Sequence, residues 1–171
     1  TLMAPEVFLA DPGYFMQAIT QQAGTITVQP NFAYGLATKR VDKEAIERYD
    51  LSNMRVMMCG AEPINAETLA AFQDTFAAAG LPDDVIMPVY GMAEATLAVT
   101  FRPPGAPVVT ARLDRGEIQN NGRIVDSNGG DSYFEVPSVG EPLLGTRVRI
   151  VDDEGNPVPD DVEGEILIDT P

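Results

Sequence analysis

The chain has 171 residues, 44% of them hydrophobic and 22% charged, which is the composition of an ordinary globular domain, or of one domain and a fraction. A net charge of −15 argues against nucleic acid as a partner, and the lack of histidine excludes Ser-His-Asp triads and histidine-ligated metals. Apolar runs are shorter than the roughly 18 residues of a membrane span, and the single cysteine excludes an internal disulfide, so we expect a cytoplasmic location.

The first segments of the chain predict a helix, a strand and a second helix. Asp11 before Pro12 is typical of a helix start, and Gly24 is typical of the position just after a helix end. The β-branched run Thr25–Val28 then predicts a short strand. Asn31 is predicted to cap the following helix.

Aromatic and sulfur side chains of the next segments are expected in the core. Phe32 and Tyr34 lie in the second predicted helix, and core packing is the favoured interpretation of both. Cys59 ends a nearly uninterrupted apolar strand that begins at Arg55, the pattern of a buried parallel strand. Since no cationic neighbour in sequence would lower its pKa, Cys59 is expected to be an inert buried thiol.

A β–α–β unit is predicted over residues 55–88. Asn65 is a helix cap, Gly80 is a helix end, and the helix between them runs from about Ala66 to Ala79. A second strand, Val85–Met87, follows. The strands of such a unit are parallel, so the residues after each strand are expected at the same edge of the sheet.

Short β-like runs separated by turns follow the first hundred residues. We predict an α/β part over 1–101, a proline-rich boundary at 102–107 and a β-rich part over 108–171. The alternating runs Arg147–Val151 and Glu163–Ile168 predict an antiparallel pair, joined by an acidic segment that we interpret as a solvated turn rather than a calcium loop. The fold class is therefore α/β: a partly parallel sheet with flanking helices, followed by a β-rich segment. Turn signals occur at Asn121-Gly122, Asn128-Gly129-Gly130, Gly145 and Glu154-Gly155-Asn156-Pro157.

The candidate site chemistry lies in the stretch Val89–Val99. Tyr90 can stack on a flat base, Gly91 lets backbone amides approach a phosphate, and Glu94 can hold a divalent cation. These residues suggest a nucleotide and magnesium site. The alternative is that Glu94 only stabilises the first turn of a short helix.

The run Tyr90-Gly91-Met92-Ala93-Glu94-Ala95-Thr96-Leu97 resembles the Tyr-Gly-x-Thr/Ala-Glu motif of the adenylate-forming enzymes, and in particular its Tyr-Gly-Leu-Ala-Glu-Ala-Thr-Leu form in the fatty acyl-AMP ligases. The chain is identified as an internal part of the large N-terminal domain of such an enzyme, in which the β-rich segment begins a β-barrel-like subdomain. Four more segments are similar to family landmarks in order and spacing: Pro30-Asn31-Phe32-Ala33-Tyr34, Gly60-Ala61-Glu62-Pro63, Val139-Gly140-Glu141-Pro142 and Gly164-Glu165-Ile166.

The resemblance implies an enzyme that uses ATP and Mg²⁺ to convert a fatty acid to acyl-AMP, with release of pyrophosphate, and passes the acyl group to an acyl carrier protein. Glu94 would be the catalytic magnesium ligand, Tyr90 would stack on adenine, and Asn31 and Phe32 would lie near the fatty acid. The nucleotide-binding residues that the resemblance implies are Gly60, Ala61, Glu62, Pro63, Tyr90, Gly91, Met92, Ala93 and Thr96.

Two departures from the family pattern bear on activity. Ala93 stands where many relatives carry a threonine that touches the α-phosphate, and Thr96 is the candidate substitute. The phosphate loop, a later Thr-Gly-Asp segment and a lysine-bearing carboxy-terminal domain are missing, so Thr1 and Pro171 are interpreted as cuts in a larger polypeptide. The chain alone is therefore expected to make no acyl-adenylate, with the remainder of that polypeptide as its partner.

Two alternatives stay open. One is a fragment of a fatty acyl-CoA synthetase, with CoA as the acyl acceptor. Residues 102–137 are where fatty acyl-AMP ligases carry an extra segment that hinders CoA use, and Tyr133–Val136 either belongs to it or forms an ordinary hairpin. The other alternative is a non-catalytic nucleotide-binding or interaction module of the same fold.

Overall fold

The structure is a computed structural model that describes residues 2–127 and 132–170, so the turn expected at 128–130 lies outside the described residues. It begins with helices α1 (Pro5–Ala10) and α2 (Gly13–Gln22). Across the described part of the chain, every helix is too short or too polar to cross a membrane. The cytoplasmic location stays a prediction.

Each end of α2 differs by one residue from the prediction. Pro12 occupies the N-cap position, and the Asp11 carboxylate accepts a hydrogen bond from the Gly13 N–H at 2.8 Å. At the other end Ala23, not Gly24, adopts the left-handed conformation, with φ of 46°. The Ala23 and Gly24 N–H groups donate back to carbonyls of the last turn, which is a Schellman motif with alanine where glycine is usual.

The predicted β–α–β unit is confirmed. Strands β1 (Ile26–Gln29), β2 (Val56–Cys59) and β3 (Ile86–Pro88) form a parallel sheet in that order. Helix α3 (Asn31–Arg40) follows β1, and helix α4 (Ala66–Phe76) connects β2 to β3. Because all three strands run the same way, the segments that follow them meet at one edge of the sheet.

The core lies between this sheet and its helices. Tyr34, Phe72 and Phe76 are fully buried, and the rings of Tyr34 and Phe72 meet edge to face with centroids 5.0 Å apart. The core prediction holds for Tyr34 but is wrong for Phe32, which is 51% exposed. Residues two apart on a helix point about 200° away from each other, so α3 cannot bury both side chains against α4.

Antiparallel strands make up the rest of the described chain. They form the sheets β4-β5-β8, β6-β7 and β9-β10, and a short helix that the sequence did not predict, α5, connects β6 to β7. The predicted pairing of β9 with β10 is confirmed, and the turn signal at Asn121-Gly122 marks the end of α5, where Gly122 adopts the left-handed conformation. The bounds are β4 (Tyr90–Met92), β5 (Leu97–Phe101), β6 (Thr110–Asp114), α5 (Arg115–Asn121), β7 (Tyr133–Pro137), β8 (Glu141–Pro142), β9 (Arg147–Val151) and β10 (Glu165–Asp169).

Asp152 organises the acidic segment after β9. Its carboxylate accepts hydrogen bonds from the Asn156 N–H at 2.7 Å and from the Glu154 N–H at 3.1 Å. The Asn156 bond is the main reason that the pKa of Asp152 lies below its usual range. The carboxylate therefore serves as a local turn cap, which agrees with the interpretation as a solvated turn.

Strand β5 pairs with β8 on the far side of the boundary expected at 102–107. Thr100 and Phe101 lie opposite Pro142 and Glu141, and the Thr100 hydroxyl donates to the Val139 carbonyl at 2.8 Å. The division of the chain at this boundary stays a prediction.

Candidate functional site

A cleft of about 720 Å³ lies at the carboxyl ends of β2 and β3. Its first wall is the loop Ala61–Asn65, its floor is Val89–Gly91, and its second wall comes from Phe134–Pro137 of β7 together with Val139. Ligands of open α/β sheets bind at this edge. A second cavity of about 560 Å³, between α4 and β6, contains none of the predicted site residues.

The cleft brings together five of the predicted site residues, which come from two separate loops. They are Ala61, Glu62, Pro63, Tyr90 and Gly91. Tyr90 is half-buried, and its hydroxyl contacts the Met92 sulfur at 4.0 Å. The ring is thus anchored at the floor of the cleft while part of its surface remains accessible.

Two glycines allow the chain to pack closely at the floor. A Cβ atom on Gly60 would lie 2.9 Å from the Val89 carbonyl oxygen, and one on Gly91 would lie only 1.8 Å from the Leu97 carbonyl oxygen. Side chains do not tolerate such contacts with backbone. Close packing therefore explains why glycine occupies both positions, whether or not a phosphate binds there.

The motif after Tyr90 is a hairpin, not the start of an α-helix. Strand β4 pairs antiparallel with β5, with an irregular register between Tyr90 and Gly91, and a single 3-10 turn at Ala93–Ala95 joins them. Glu94 does lie in the first turn of this short 3-10 helix, so the alternative explanation for Glu94 stays open. A turn of three residues presents its side chains to solvent without the aligned dipole of a helix.

Strained backbone closes this hairpin. Thr96 and Leu97 both have positive φ values, 53° and 99°. Such conformations are uncommon for residues with a Cβ atom and cost about 1–3 kcal/mol each. Two in succession indicate that the surrounding strands impose the turn, and strain of this kind clusters at functional sites.

Glu94 lies at the exposed tip of the hairpin. Its carboxylate makes no hydrogen bond to another described residue, and Ala93 and Thr96 beside it are also exposed. Met92, Ala93, Glu94 and Thr96 do not line the cleft. Within residues 2–127 and 132–170 no group of three or more acidic or cysteine side chains that could hold a metal ion comes together.

The start of α3 meets the first wall of the cleft. Asn31 does not cap α3, because Pro30 holds the N-cap position and Asn31 is the first helical residue. Its side-chain oxygen instead accepts from the Asn65 N–H at 3.1 Å, and the Phe32 N–H donates to the Glu62 carboxylate at 2.5 Å. Asn31 and Phe32 therefore adjoin the cleft without lining it.

The second wall of the cleft is where sequence reasoning missed residues of the site. Phe134 packs under the Arg115 guanidinium, whose central carbon lies 4.0 Å from the ring centroid, and Val136 is 45% exposed. These residues are more than 40 positions from Tyr90 in sequence. The sequence singled out Tyr133–Val136 and Val139 for other reasons, but no local pattern places them beside Tyr90.

Two further acidic groups of the cleft have partners. The Glu135 carboxylate accepts a hydrogen bond from the Arg112 Nε at 2.8 Å, and the Glu62 carboxylate accepts one from the Phe32 N–H of α3.

Behind the loop Ala61–Asn65, Cys59 is fully buried. Burial, followed by the Glu62 charge, raises the pKa of Cys59 to about 12. The prediction of an inert buried thiol is confirmed.

A parallel sheet whose strand ends open into a cleft defines the class of open α/β folds that bind their ligands at this edge. Residues 1–171 match the family model described as AMP-binding enzyme. The chain belongs to the AMP-binding enzyme family.

Among its relatives the chain is similar to the long-chain-fatty-acid–AMP ligase FadD32 of Mycolicibacterium smegmatis, with 36% identity over 98% of this chain and 28% of the relative. It is also similar to a putative acyl-CoA synthetase of Caulobacter vibrioides, with 30% identity over 99% of this chain and 30% of the relative. The chain thus spans less than a third of the length of these relatives.

A solved structure, that of the fatty acyl-adenylate ligase from L. pneumophila in complex with acyl adenylate and pyrophosphate, superposes with a TM-score of 0.91. The identity is 33%, over 98% of this chain and 29% of that one. The resemblance to fatty acyl-AMP ligases and the α/β fold class that it implied are both confirmed.

Proposed function

We propose that this chain is part of an ATP-dependent enzyme that adenylates fatty acids and passes the acyl group to an acyl carrier protein. In the first step a carboxylate oxygen of the fatty acid attacks the α-phosphate of ATP, pyrophosphate leaves, and acyl-AMP forms. The observation that carries the proposal is the cleft at the strand ends, in which the Ala61–Asn65 loop and Tyr90 share one space.

The nucleotide base would enter this cleft. The accessible face of Tyr90 would stack on adenine, and the backbone of Gly60–Pro63 would border its edge. Stacking on an aromatic ring suits every flat base, while the closely packed floor around Gly91 would keep the ring in place. Phe134 on the opposite wall offers a second apolar surface to the bound nucleotide.

The phosphates would extend toward the hairpin tip at Met92–Thr96. Magnesium is commonly held by one or two carboxylates, with substrate phosphates and water completing its shell. The exposed carboxylate of Glu94 fits that donor set. The bound ion would neutralise charge that builds on the phosphoryl oxygens during attack and departure. Thr96, at the end of the hairpin tip, offers a hydroxyl where Ala93 provides none.

The fatty acid would approach from the start of α3. Phe32 exposes half of its surface there, beside the wall of the cleft, and its backbone N–H is already bonded to Glu62. An exposed aromatic ring next to a polar cleft suits a molecule with an apolar tail and a carboxylate head. Asn31 and Phe32 are therefore the proposed contacts of the acyl group.

Two tests in the full-length polypeptide address the proposal. We expect pyrophosphate release that requires both ATP and a fatty acid, and a decrease of about 100-fold in Glu94→Gln, comparable to the loss of one charge-stabilising group. Glu44→Gln, which removes an exposed carboxylate in the distant segment Lys43–Arg48, serves as the control. Absence of release that depends on the fatty acid would refute the proposal.

Similarity to a putative acyl-CoA synthetase favours a second candidate, in which CoA accepts the acyl group. Acyl transfer from the full-length protein to CoA and to carrier protein, compared side by side, separates the two. If neither acyl-AMP nor transfer is detected but calorimetry measures binding of ATP with magnesium, the chain is instead a non-catalytic nucleotide-binding module.

A further inference from the structure

The N-termini of α3 and α4 lie side by side at the edge of the sheet that carries the cleft. Each helix follows one of two neighbouring parallel strands, β1 and β2. The first N–H groups of any helix have no acceptor within the helix. In α3 the residue at the N-cap is Pro30, whose side chain accepts no hydrogen bond, so the acceptor comes from another part of the chain or from solvent.

That acceptor is Glu62, 30 residues away in sequence. Its carboxylate accepts from the Phe32 N–H at 2.5 Å, and a negative charge at a helix N-terminus is further stabilised by the helix dipole. A second hydrogen bond runs the opposite way, from the Asn65 N–H to the Asn31 side-chain oxygen at 3.1 Å. The loop after β2 and the start of α3 are thus joined by two reciprocal bonds.

We infer that Glu62 is a positioning residue: its carboxylate holds the loop Ala61–Asn65 against the start of α3, and it does not bind the nucleotide itself. This inference rests on the proposed function and deepens it. The loop borders the base, and Asn31 and Phe32 adjoin the proposed path of the fatty acid. One carboxylate therefore sets the relative position of the surfaces that bind both substrates.

The direction of the Glu62 side chain supports this role. Its carboxylate accepts a hydrogen bond from the Phe32 N–H, so the side chain lies toward the start of α3. Turning toward an anionic nucleotide would cost the carboxylate its hydrogen bond to the helix N-terminus and bring two negative charges together. The backbone of Ala61 and Pro63 is left to border the base.

The test compares variants of the full-length polypeptide. In Glu62→Ala we expect KM for ATP and KM for the fatty acid to rise together, each about tenfold, the usual effect of losing a hydrogen bond to a charged group. Glu62→Gln keeps an oxygen acceptor and is expected to restore most of the loss. Glu67→Ala removes another exposed carboxylate, which bonds no described residue, and is expected to leave both KM values unchanged.

Two results for the KM values would overturn the inference about Glu62. A rise in KM for ATP alone would make Glu62 a nucleotide ligand and overturn the inference, as would unchanged KM values in Glu62→Ala. If the unsubstituted protein makes no acyl-AMP, the proposed function fails, and hydrogen exchange decides the inference separately. Peptides that contain Phe32 should then exchange faster in Glu62→Ala than in Glu67→Ala, and equal exchange would refute the role of Glu62.

Discussion

Gly91 offers the sharpest test of the packing at the floor of the cleft. In Gly91→Ala the added Cβ atom would lie 1.8 Å from the Leu97 carbonyl oxygen and 2.9 Å from its carbon. The obstacle is backbone within a paired hairpin, so β4 and β5 would have to separate by more than 1 Å at this point. Overpacking of a rigid site costs about 1–3 kcal/mol, and loss of ladder hydrogen bonds adds to it.

We therefore expect Gly91→Ala to lower the free energy of unfolding by about 3 kcal/mol, measured by urea denaturation monitored by circular dichroism. Gly24→Ala is the matched control, because its Cβ atom would meet Ile19 at 3.5 Å, an ordinary contact. The control should change stability by less than about 0.5 kcal/mol. Equal midpoints for the two variants would show that the hairpin adapts freely and would refute the packing argument.

Three further predictions concern the helix end, the buried thiol and the isolated chain. Ala23→Gly should raise the free energy of unfolding by about 0.5–1 kcal/mol, because glycine adopts the left-handed conformation of Ala23 without penalty. The control Ala70→Gly, inside α4, should lower the free energy of unfolding by about as much. Denaturation midpoints of the two variants that move in the same direction would contradict this prediction. The pKa of Cys59 rises on folding from 9.0 to about 12, so the contribution of the neutral thiol to stability is complete below pH 9 and is lost as pH increases toward 12. In Cys59→Ala the free energy of unfolding should therefore decrease less steeply between about pH 9 and 10. Parallel pH profiles of the two proteins would reject this argument. Purified residues 1–171 should release no pyrophosphate from ATP and a fatty acid above the level of the Glu94→Gln variant, and clear release would disprove the expected inactivity.

Local chemistry allowed part of the fold to be predicted. The side-chain oxygen of Asn65 accepts a hydrogen bond from the Thr68 N–H at 2.8 Å, and Gly80 has φ of 77°. Asn65 therefore caps the start of the predicted 66–79 segment and Gly80 ends it, as expected. Helices α1 and α5 were missed because they span six and seven residues, too few for helical periodicity to emerge.

Asn31 illustrates why the rest could not be predicted. An asparagine before a helical run is a good local signal for an N-cap, but here the side chain bonds the backbone of Asn65, which only the tertiary structure brings near. The same holds for the wall formed by Phe134. Sequence patterns report which residues suit a cap or a strand, while the pairing of distant segments depends on contacts that no local pattern encodes.

The distribution of charge around the cleft is a second argument for the proposed role of Glu94 as a magnesium ligand. The chain carries a net charge of −15, and an anionic nucleotide near so many carboxylates requires compensation. Glu62 is compensated by the N-terminus of α3, and Glu135 by Arg112. Glu94 makes no hydrogen bond or ion pair to another described residue, and it lies at the hairpin tip toward which the phosphates are proposed to extend. A divalent cation between Glu94 and those phosphates would remove both repulsions at once, which is why the loss of this one carboxylate should weaken the reaction more than the loss of either compensated one.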